Sequence, residues 1–113
     1  MQWLILKDLI NKPGGSTPSR VGRGYIRNEN DRNLISGLPR EGLKHALKGF
    51  TENWSDEFRL KDDDGAVYYE GRCNGLDDAD QDNAFAPLDW AMNDAGCTTM
   101  EVRKVGSATW EVL

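Results

Sequence analysis

The residues with the clearest chemical potential are the aspartates of the segment DDADQDNAFAPLD, which spans residues 77–89. Counted from Asp78 as position 1, aspartates also occupy positions 3, 5 and 12, as Asp80, Asp82 and Asp89. A calcium loop of the EF-hand type places oxygen ligands at these positions, because Ca²⁺ needs six to eight oxygen atoms around one centre. The spacing therefore predicts a site for calcium or magnesium.

The same segment departs from the calcium-loop pattern. Asn83 stands at position 6, where the loop takes glycine, and Asp89 is shorter than the glutamate that binds through both oxygens at position 12. The residues before the segment have the pattern of a strand, whereas an EF-hand begins with a helix. The alternative is a solvated acidic turn, since aspartate carboxylates commonly accept hydrogen bonds from nearby backbone N–H groups.

A second candidate site is a basic segment near the N-terminus. Its cations lie in a stretch rich in Gly, Pro and Ser, and they are Lys12, Arg20, Arg23, Arg27 and Arg32. Such an arm can neutralise phosphates while an aromatic ring, here Tyr25, stacks on a base. The chain as a whole carries a net charge of −5, whereas nucleic-acid-binding domains are usually basic. A nucleic-acid partner is therefore an alternative and not the favoured interpretation.

Charge is unevenly distributed along the chain. Residues 1–61 hold eleven Lys and Arg against seven Asp and Glu, whereas residues 62–113 hold three against twelve. Three interpretations are open: the halves attract each other within one fold, one end binds a partner, or the acidic surface competes with DNA for a nuclease or repressor. The first is favoured.

No residue pattern predicts a catalytic centre, and we expect the protein not to be an enzyme. The single histidine, His45, lies on a predicted helix beside its apolar stripe. Cys73 and Cys97 belong to no C-x-x-C motif. They are open as nucleophiles paired with His45 or as one disulfide, although buried cysteine in a strand is the ordinary case. Calcium or magnesium is the only cofactor that the sequence suggests.

Alternating hydrophobicity and turn residues predict an α+β domain, dominated by an antiparallel sheet of four to five strands, with one or two short helices over a face. The first element in chain order is a strand over Gln2–Ile10, favoured over a helix although Trp3, Leu6 and Ile10 also fit helical spacing. It is followed by a short edge strand or loop over Arg20–Asn28, a helix over Leu38–Phe50 and a hairpin over Glu57–Cys73. The last two elements are a helix over Ala86–Gly96 and a hairpin over Cys97–Leu113. We expect residues 1–113 to form a single domain, with a mobile loop at 11–33 and a polar connector at 28–33.

The first hairpin is the clearest local prediction. Phe58 and Leu60 alternate with charged residues before the turn DDDG, where Gly65 suits the left-handed conformation of a short bulged loop. The turn aspartates need no further role, since their carboxylates can accept hydrogen bonds from backbone N–H groups.

The second hairpin is predicted around a turn at Gly106–Ser107. Its apolar residues Met100 and Val102 are expected to pair with Trp110 and Val112 in a period of two. Candidates for the core or for an interface are Trp54, Trp90 and Trp110.

The segments FRLKDDDGAVYYEGRC and FAPLDWAMNDAGCTTMEVRK resemble a group of small bacterial and mobile-element proteins of no established activity. The shared features are a DDDG-x-x-YYEG hairpin, a later FAPLD and an AGCT strand start, within residues 57–113. The resemblance carries over no catalytic residue. It implies an accessory protein that binds a macromolecular partner, either another protein or a second copy of itself.

The N-terminal segment MQWLILKDLINKPGG lacks the basic start and cleavage site of a signal peptide. No apolar stretch reaches the length of about 18 residues that a membrane span needs. We therefore expect a cytoplasmic protein without a membrane partner.

Overall fold

A six-stranded antiparallel sheet organises the chain in the computed structural model, which describes residues 1–11, 19–38 and 40–113. The strands are β1 (Gln2–Asp8), β2 (Gly24–Tyr25), β3 (Asp56–Lys61), β4 (Val67–Asn74), β5 (Thr99–Lys104) and β6 (Glu111–Val112), in the spatial order β2-β1-β4-β3-β5-β6. The helices are α1 (Glu29–Gly37), α2 (Arg40–Thr51), α3 (Gln81–Ala84) and α4 (Ala86–Ala95). The predicted α+β class with an antiparallel sheet is confirmed, with more strands and more helices than expected.

One face of the sheet, which we call the core face, packs against α4. The alternation predicted for β3 and β4 places Phe58, Leu60 and Tyr69 on this face, where none of them is exposed to solvent. Leu88 and Ala91 of α4 join the same cluster. Burial of each large apolar side chain contributes about 1.5–3 kcal/mol, so this layer supplies much of the stability.

In the described part of the chain, helices cover the opposite face on the side of β1. Leu4 of β1 packs there with Ile35 of α1, Leu47 of α2 and Trp54, which follows α2. Because successive residues of a strand point to opposite faces, β1 contributes Leu4 to this cluster and Ile5 to the core face.

The β3–β4 hairpin closes as its sequence predicts. Gly65 has a φ of 82°, in the left-handed region that glycine adopts without strain. The Asp62 carboxylate accepts hydrogen bonds from the backbone N–H groups of Asp64 and Ala66, at 3.0 and 2.8 Å. Turn chemistry thus accounts for the first acidic residue of DDDG.

Gly71 lies at the centre of the sheet, where β4 passes close to both neighbouring strands. A Cβ atom at this position would collide with the backbone oxygen of Leu4 and with the Phe58 ring. Only glycine therefore fits beneath the Phe58 ring.

Two predictions were wrong. The connector predicted at 28–33 contains the first turns of α1, because the Asn28 side chain accepts a hydrogen bond from the Asn30 N–H and caps the helix. In the second hairpin Val102 pairs with Glu111, and Glu101 pairs with Val112. This register differs by one residue from the predicted one, so it moves the side chains of β6 to the other face of the sheet.

Within the predicted mobile loop at 11–33, β2 is an edge strand and Ile26 is buried. Residues 12–18 lie outside the described residues. Among the helices that the structure describes, none has the length and apolar character to cross a membrane.

Candidate functional site

The face opposite the core face carries rows of alternating charge, and we call it the charged face. Its members are Lys7, Glu57, Arg59, Lys61, Glu70, Arg72, Glu101 and Arg103. The register sets Arg72 of β4 opposite Glu57 of β3, and Glu57 opposite Arg103 of β5. Directly opposed residues on antiparallel strands have Cβ atoms about 5 Å apart, so neighbouring members of a row attract each other.

Short ion pairs join the strands across this face. Arg103 Nε donates to Glu57 at 2.6 Å, and Arg59 Nε donates to Glu101 at 2.6 Å. Lys61 Nζ lies 2.7 Å from the same Glu101 carboxylate. The hydrogen bonds from Arg59 and Lys61 hold the pKa of Glu101 below its ordinary value. Glu101 is therefore ionised at neutral pH.

Trp110 lies over the charged face, against two of its guanidinium groups. The centroid of its ring is 4.4 Å from the Arg59 Cζ atom and 4.3 Å from the Arg103 Cζ atom. At such distances the indole quadrupole attracts a cation. The observed register explains the position, since Val112 lies opposite Glu101 and Trp110 precedes Val112 by two residues.

Two depressions of the surface meet between Trp110 and α2, and together they form what we call the groove. The smaller has a volume of about 280 Å³ and lies beside Trp110. The larger has a volume of about 570 Å³ and lies along α2. Leu6, Lys7 and Arg72 line both depressions, so the groove is continuous from α2 to Trp110.

Cations outnumber anions in the lining of the groove. The cations are Lys7, Lys44, Lys48, Arg72 and Arg103. The carboxylates are Glu52, Glu57 and Glu70. Lys7 lies 3.5 Å from Glu70, and Arg103 is bonded to Glu57. Among the side chains that the structure describes, neither Lys44 nor Lys48 has a carboxylate partner, so α2 supplies the excess positive charge.

Contacts at the end of α2 fix the floor of the groove. Arg72 Nη1 donates to the Thr51 backbone oxygen at 3.1 Å, and Thr51 is buried. The Thr51 hydroxyl in turn donates to the Leu47 oxygen at 2.8 Å. A carbonyl at a helix C-terminus lacks an intrahelical donor, so Arg72 stabilises this end of α2 and is held in place by it.

The acidic segment has a structural role at Asp80. Asp80 is the N-cap residue of α3, and its carboxylate accepts hydrogen bonds from the backbone N–H and the side-chain amide of Asn83, both at 2.9 Å. Asp77 binds Lys104 at 2.8 Å. Two acidic side chains of the segment thus have partners within the fold.

The predicted ligand set is not gathered around one centre. Asp78 and Asp82 are exposed, and Asp89 lies in the first turn of α4. Within residues 1–11, 19–38 and 40–113, no three acidic, His or Cys side chains are grouped as metal ligands would be. The calcium or magnesium site at Asp78, Asp80, Asp82 and Asp89 stays a prediction.

The arginines of the basic segment are spread over the fold. Arg20 Nε donates to Asp94 of α4 at 3.0 Å, and the Arg32 Cζ atom lies 5.2 Å from the centroid of the Tyr25 ring. Arg23 is exposed, and its backbone oxygen accepts a hydrogen bond from the Ile5 N–H. Lys12 lies outside the described residues.

Arg27 of the basic segment lies close to the acidic segment. Arg27 and Tyr25 line a depression of about 470 Å³, whose other side includes Asp78 and Asp80. The basic segment therefore faces carboxylates at this point, which would repel the phosphates of a nucleic acid.

The thiols are poorly suited to nucleophilic chemistry. Burial raises the pKa of the Cys73 thiol to about 12 and that of the Cys97 thiol to about 11. Because the thiolate is the reactive form, burial disfavours a nucleophilic role for either cysteine. Cys73 pairs with Asp56, the first residue of β3. The backbone N–H of Thr98, next to Cys97, donates to the oxygen of Lys61, the last residue of β3. These ends of a strand are roughly 17 Å apart, so the disulfide considered from the sequence does not form.

The three candidate tryptophans have different surroundings. Trp54 is 8% exposed and belongs to the cluster beneath α1 and α2. Trp90 packs on the core face, with its ring centroid 5.9 Å from that of Trp3 and 5.1 Å from that of Tyr69. Of the three, Trp110 alone contacts the arginines of the charged face.

No protein-family model, curated protein or solved structure matches the chain. The function therefore has to be inferred from the arrangement of the chain's own residues. The groove is the strongest candidate, yet most of its lining was not singled out from the sequence. The sequence signals for the groove were the alternation of charged and apolar residues in EFRLK and the two lysines of α2. The strand pairing that brings these residues together could not be predicted from the sequence.

Proposed function

We propose that this protein is a non-catalytic binding protein that holds a protein partner in the groove between α2 and Trp110. The observation that carries the proposal is the uncovered part of the charged face, where two continuous depressions lie beside an aromatic ring and a surplus of cations. On the core face α4 packs against β3 and β5, whereas on the charged face no described helix packs against these strands to the same extent.

The ion pairs on the floor suit a binding role better than catalysis. Glu57 and Glu101 are each held by a guanidinium at 2.6 Å, so their charges are satisfied within the fold. A general base has to be available to the substrate, and its pKa is commonly raised toward neutrality. Glu101 has the opposite character, because its pKa is lowered by Arg59 and Lys61.

We further propose that the protein acts in the cytoplasm, where Cys73 and Cys97 would stay reduced. The resemblance to small proteins of mobile elements supports an accessory role of this kind. The partner is another protein or a second copy of the chain.

Site-specific photocross-linking in cells tests the proposal. A photoreactive residue at Glu52, an exposed position that lines the groove, is compared with the same residue at Met92, which is 50% exposed on α4. We expect a discrete adduct at position 52 and none at position 92. The mass of the adduct distinguishes a second copy of the chain from another protein.

Charge-reversal variants make the test specific for the groove. Lys7→Glu should abolish the adduct at position 52, because Lys7 lines both depressions. Arg27→Glu, an exposed change of the same type outside the groove, should leave it intact. The same adduct at position 92, or no adduct at position 52, would overturn the proposal.

A further inference from the structure

The two lysines of α2 are placed as if for an external anion. Lys44 and Lys48 are four residues apart on one helical surface, both are exposed, and both line the groove. Like charges at this spacing repel each other. Carboxylates of a bound ligand would relieve this repulsion, since no described carboxylate lies within ion-pair distance of either lysine.

The acidic surface of the molecule does not cancel this local charge. Asp78, Asp82 and Asp89 belong to the α3–α4 layer, which lies on the core face, on the other side of the sheet. The helix layers on the two faces are separated by the sheet, and charges on opposite surfaces are further apart than the screening length of about 8 Å at physiological salt. The groove therefore presents a net positive surface to a ligand despite the net charge of −5.

The dimensions of the floor suit one extended chain. In the strand order β1-β4-β3-β5, α2 stands over β1 and Trp110 stands over Arg59 and Arg103. Because Arg59 belongs to β3, the open floor is centred on β4, and the two strand spacings from β1 to β3 make it roughly 10 Å wide. A single polypeptide segment with its side chains fits a trough of this width.

The chemistry of the floor favours a polypeptide over a nucleic acid. Glu57 and Glu70 lie on the floor, where they disfavour a row of phosphates but can accept hydrogen bonds from the N–H groups of a peptide, whose own carboxylates would lie along α2 instead. The ring of Trp110 already contacts two guanidinium groups, so it is not a free platform for a base. Leu6 of β1, which is half-buried, adds an apolar surface beside α2 that an aliphatic side chain of a peptide would cover.

We propose that the groove binds an acidic, extended segment of a protein, with its carboxylates paired to Lys44 and Lys48 and an aliphatic residue placed against Leu6. This inference rests on the function proposed above, since it names the chemistry of the partner segment.

Fluorescence anisotropy with the full chain tests the inference. The probe is a labelled peptide of about twelve residues in which Glu and Leu alternate. The controls are the same peptide with Gln in place of Glu, and a labelled oligo-dT of equal length. We expect the acidic peptide to bind at least about tenfold more tightly than the Gln peptide and the oligonucleotide, and to weaken as salt is raised.

Variants locate the site. Lys44→Glu with Lys48→Glu should weaken binding of the acidic peptide at least about tenfold, whereas Arg27→Glu should leave it unchanged. Circular dichroism verifies that each variant is folded, and Lys44→Gln with Lys48→Gln provides a milder version if charge reversal disturbs α2. Equal binding of the Gln peptide, or tighter binding of the oligonucleotide, would overturn the acidic-segment proposal.

The cross-linking experiment separates the two proposals. If the acidic peptide fails to bind while position 52 still yields its specific adduct, the groove binds a partner of different chemistry and only the present inference is lost. If position 52 yields no adduct, the proposed function itself is lost.

Discussion

Single carboxylates on the charged face hold neighbouring strands together, and Glu101 is the clearest case. It accepts from Arg59 at 2.6 Å and lies 2.7 Å from Lys61 Nζ, while Arg59 also contacts the Trp110 ring. One side chain of β5 thus fixes two cations of β3 and, through Arg59, the wall of the groove. An ion pair of this kind is weak when fully exposed, but Glu101 is only 13% exposed.

The pH dependence of stability follows from Glu101. Its pKa is lower in the folded protein than the ordinary value of 4.5, so its contribution is present above that value and is lost as pH falls through the folded pKa. Glu101→Gln should lower the free energy of unfolding by about 1 kcal/mol at pH 7. The difference from the unmodified protein should shrink as the pH falls below 4.5.

Urea denaturation at pH 7, 5 and 3.5 measures this difference. Glu111→Gln, a change of the same type at an exposed residue of β6, serves as the control and should have little effect at any pH. A destabilisation by Glu101→Gln that is equal at all three pH values would show that the carboxylate acts through packing and not through its charge.

At the scale of elements, α3 shows that an acidic residue can be structural. Asp80 satisfies the Asn83 N–H at the start of this four-residue helix. Aspartate and asparagine are about equally good at an N-cap, whereas alanine costs about 1 kcal/mol. In the presence of a chelator, Asp80→Ala should therefore lower the melting temperature and Asp80→Asn should change it little.

The same melts, repeated in millimolar calcium, separate capping from metal binding. Saturation at about 100 times the dissociation constant would stabilise the protein by about 2.7 kcal/mol, which is several degrees for a chain of this size. If capping is the whole role of Asp80, calcium leaves all three melting temperatures unchanged. If calcium instead raises the melting temperature of the unmodified protein but not that of Asp80→Asn, the predicted metal site is established.

The elements that were predicted correctly are those whose sequence signals lie within the element itself. The β3–β4 hairpin is encoded by the alternation around Phe58 and Leu60 and by the turn at Gly65, all within one short stretch. Helix α4 likewise carries its own signals, with Pro87 in its first turn and Gly96, at a φ of 76°, just past its end.

The elements that were missed depend on distant residues. The segment of α1 is polar and lacks an apolar stripe, and the helix is held by the packing of Ile35 against Leu4 of β1. The β5–β6 register was predicted from apolar matching, which would have placed Trp110 on the core face. Cation–π contacts with Arg59 and Arg103 draw it to the other face, and the groove could not be predicted without that register.

At the scale of the whole molecule, the uneven charge of the sequence is largely resolved by folding. Cations of residues 1–61 pair with carboxylates of residues 62–113, as in Lys7–Glu70, Arg20–Asp94 and Arg59–Glu101. The antiparallel pairing of β1 with β4 and of β3 with β5 brings the two halves side by side. The split is therefore in large part a consequence of how the sheet is assembled.

This topology also predicts where the fold is most stable. Strands β4 and β3 are central and bonded on both sides, whereas β2 and β6 are edge strands of two residues each. Backbone amides in β4 and β3 should exchange with solvent only through global unfolding, and amides in β2 and β6 through local fraying. Hydrogen exchange followed by NMR should therefore show the slowest rates in the two central strands.

A variant in the core tests this order of amide exchange rates quantitatively. The Leu60 side chain is fully buried in β3, and Leu60→Ala should cost about 3 kcal/mol. If β3 and β4 open only by global unfolding, their amides should accelerate together by roughly 100-fold, while amides in β6 should change little. Acceleration confined to β3 would show that the central strands open separately. If amides in β6 and β4 of the unmodified protein are equally protected from exchange, the predicted order of exchange rates is wrong. Such a result would mean that the two-residue edge strand β6 unfolds only together with the whole sheet.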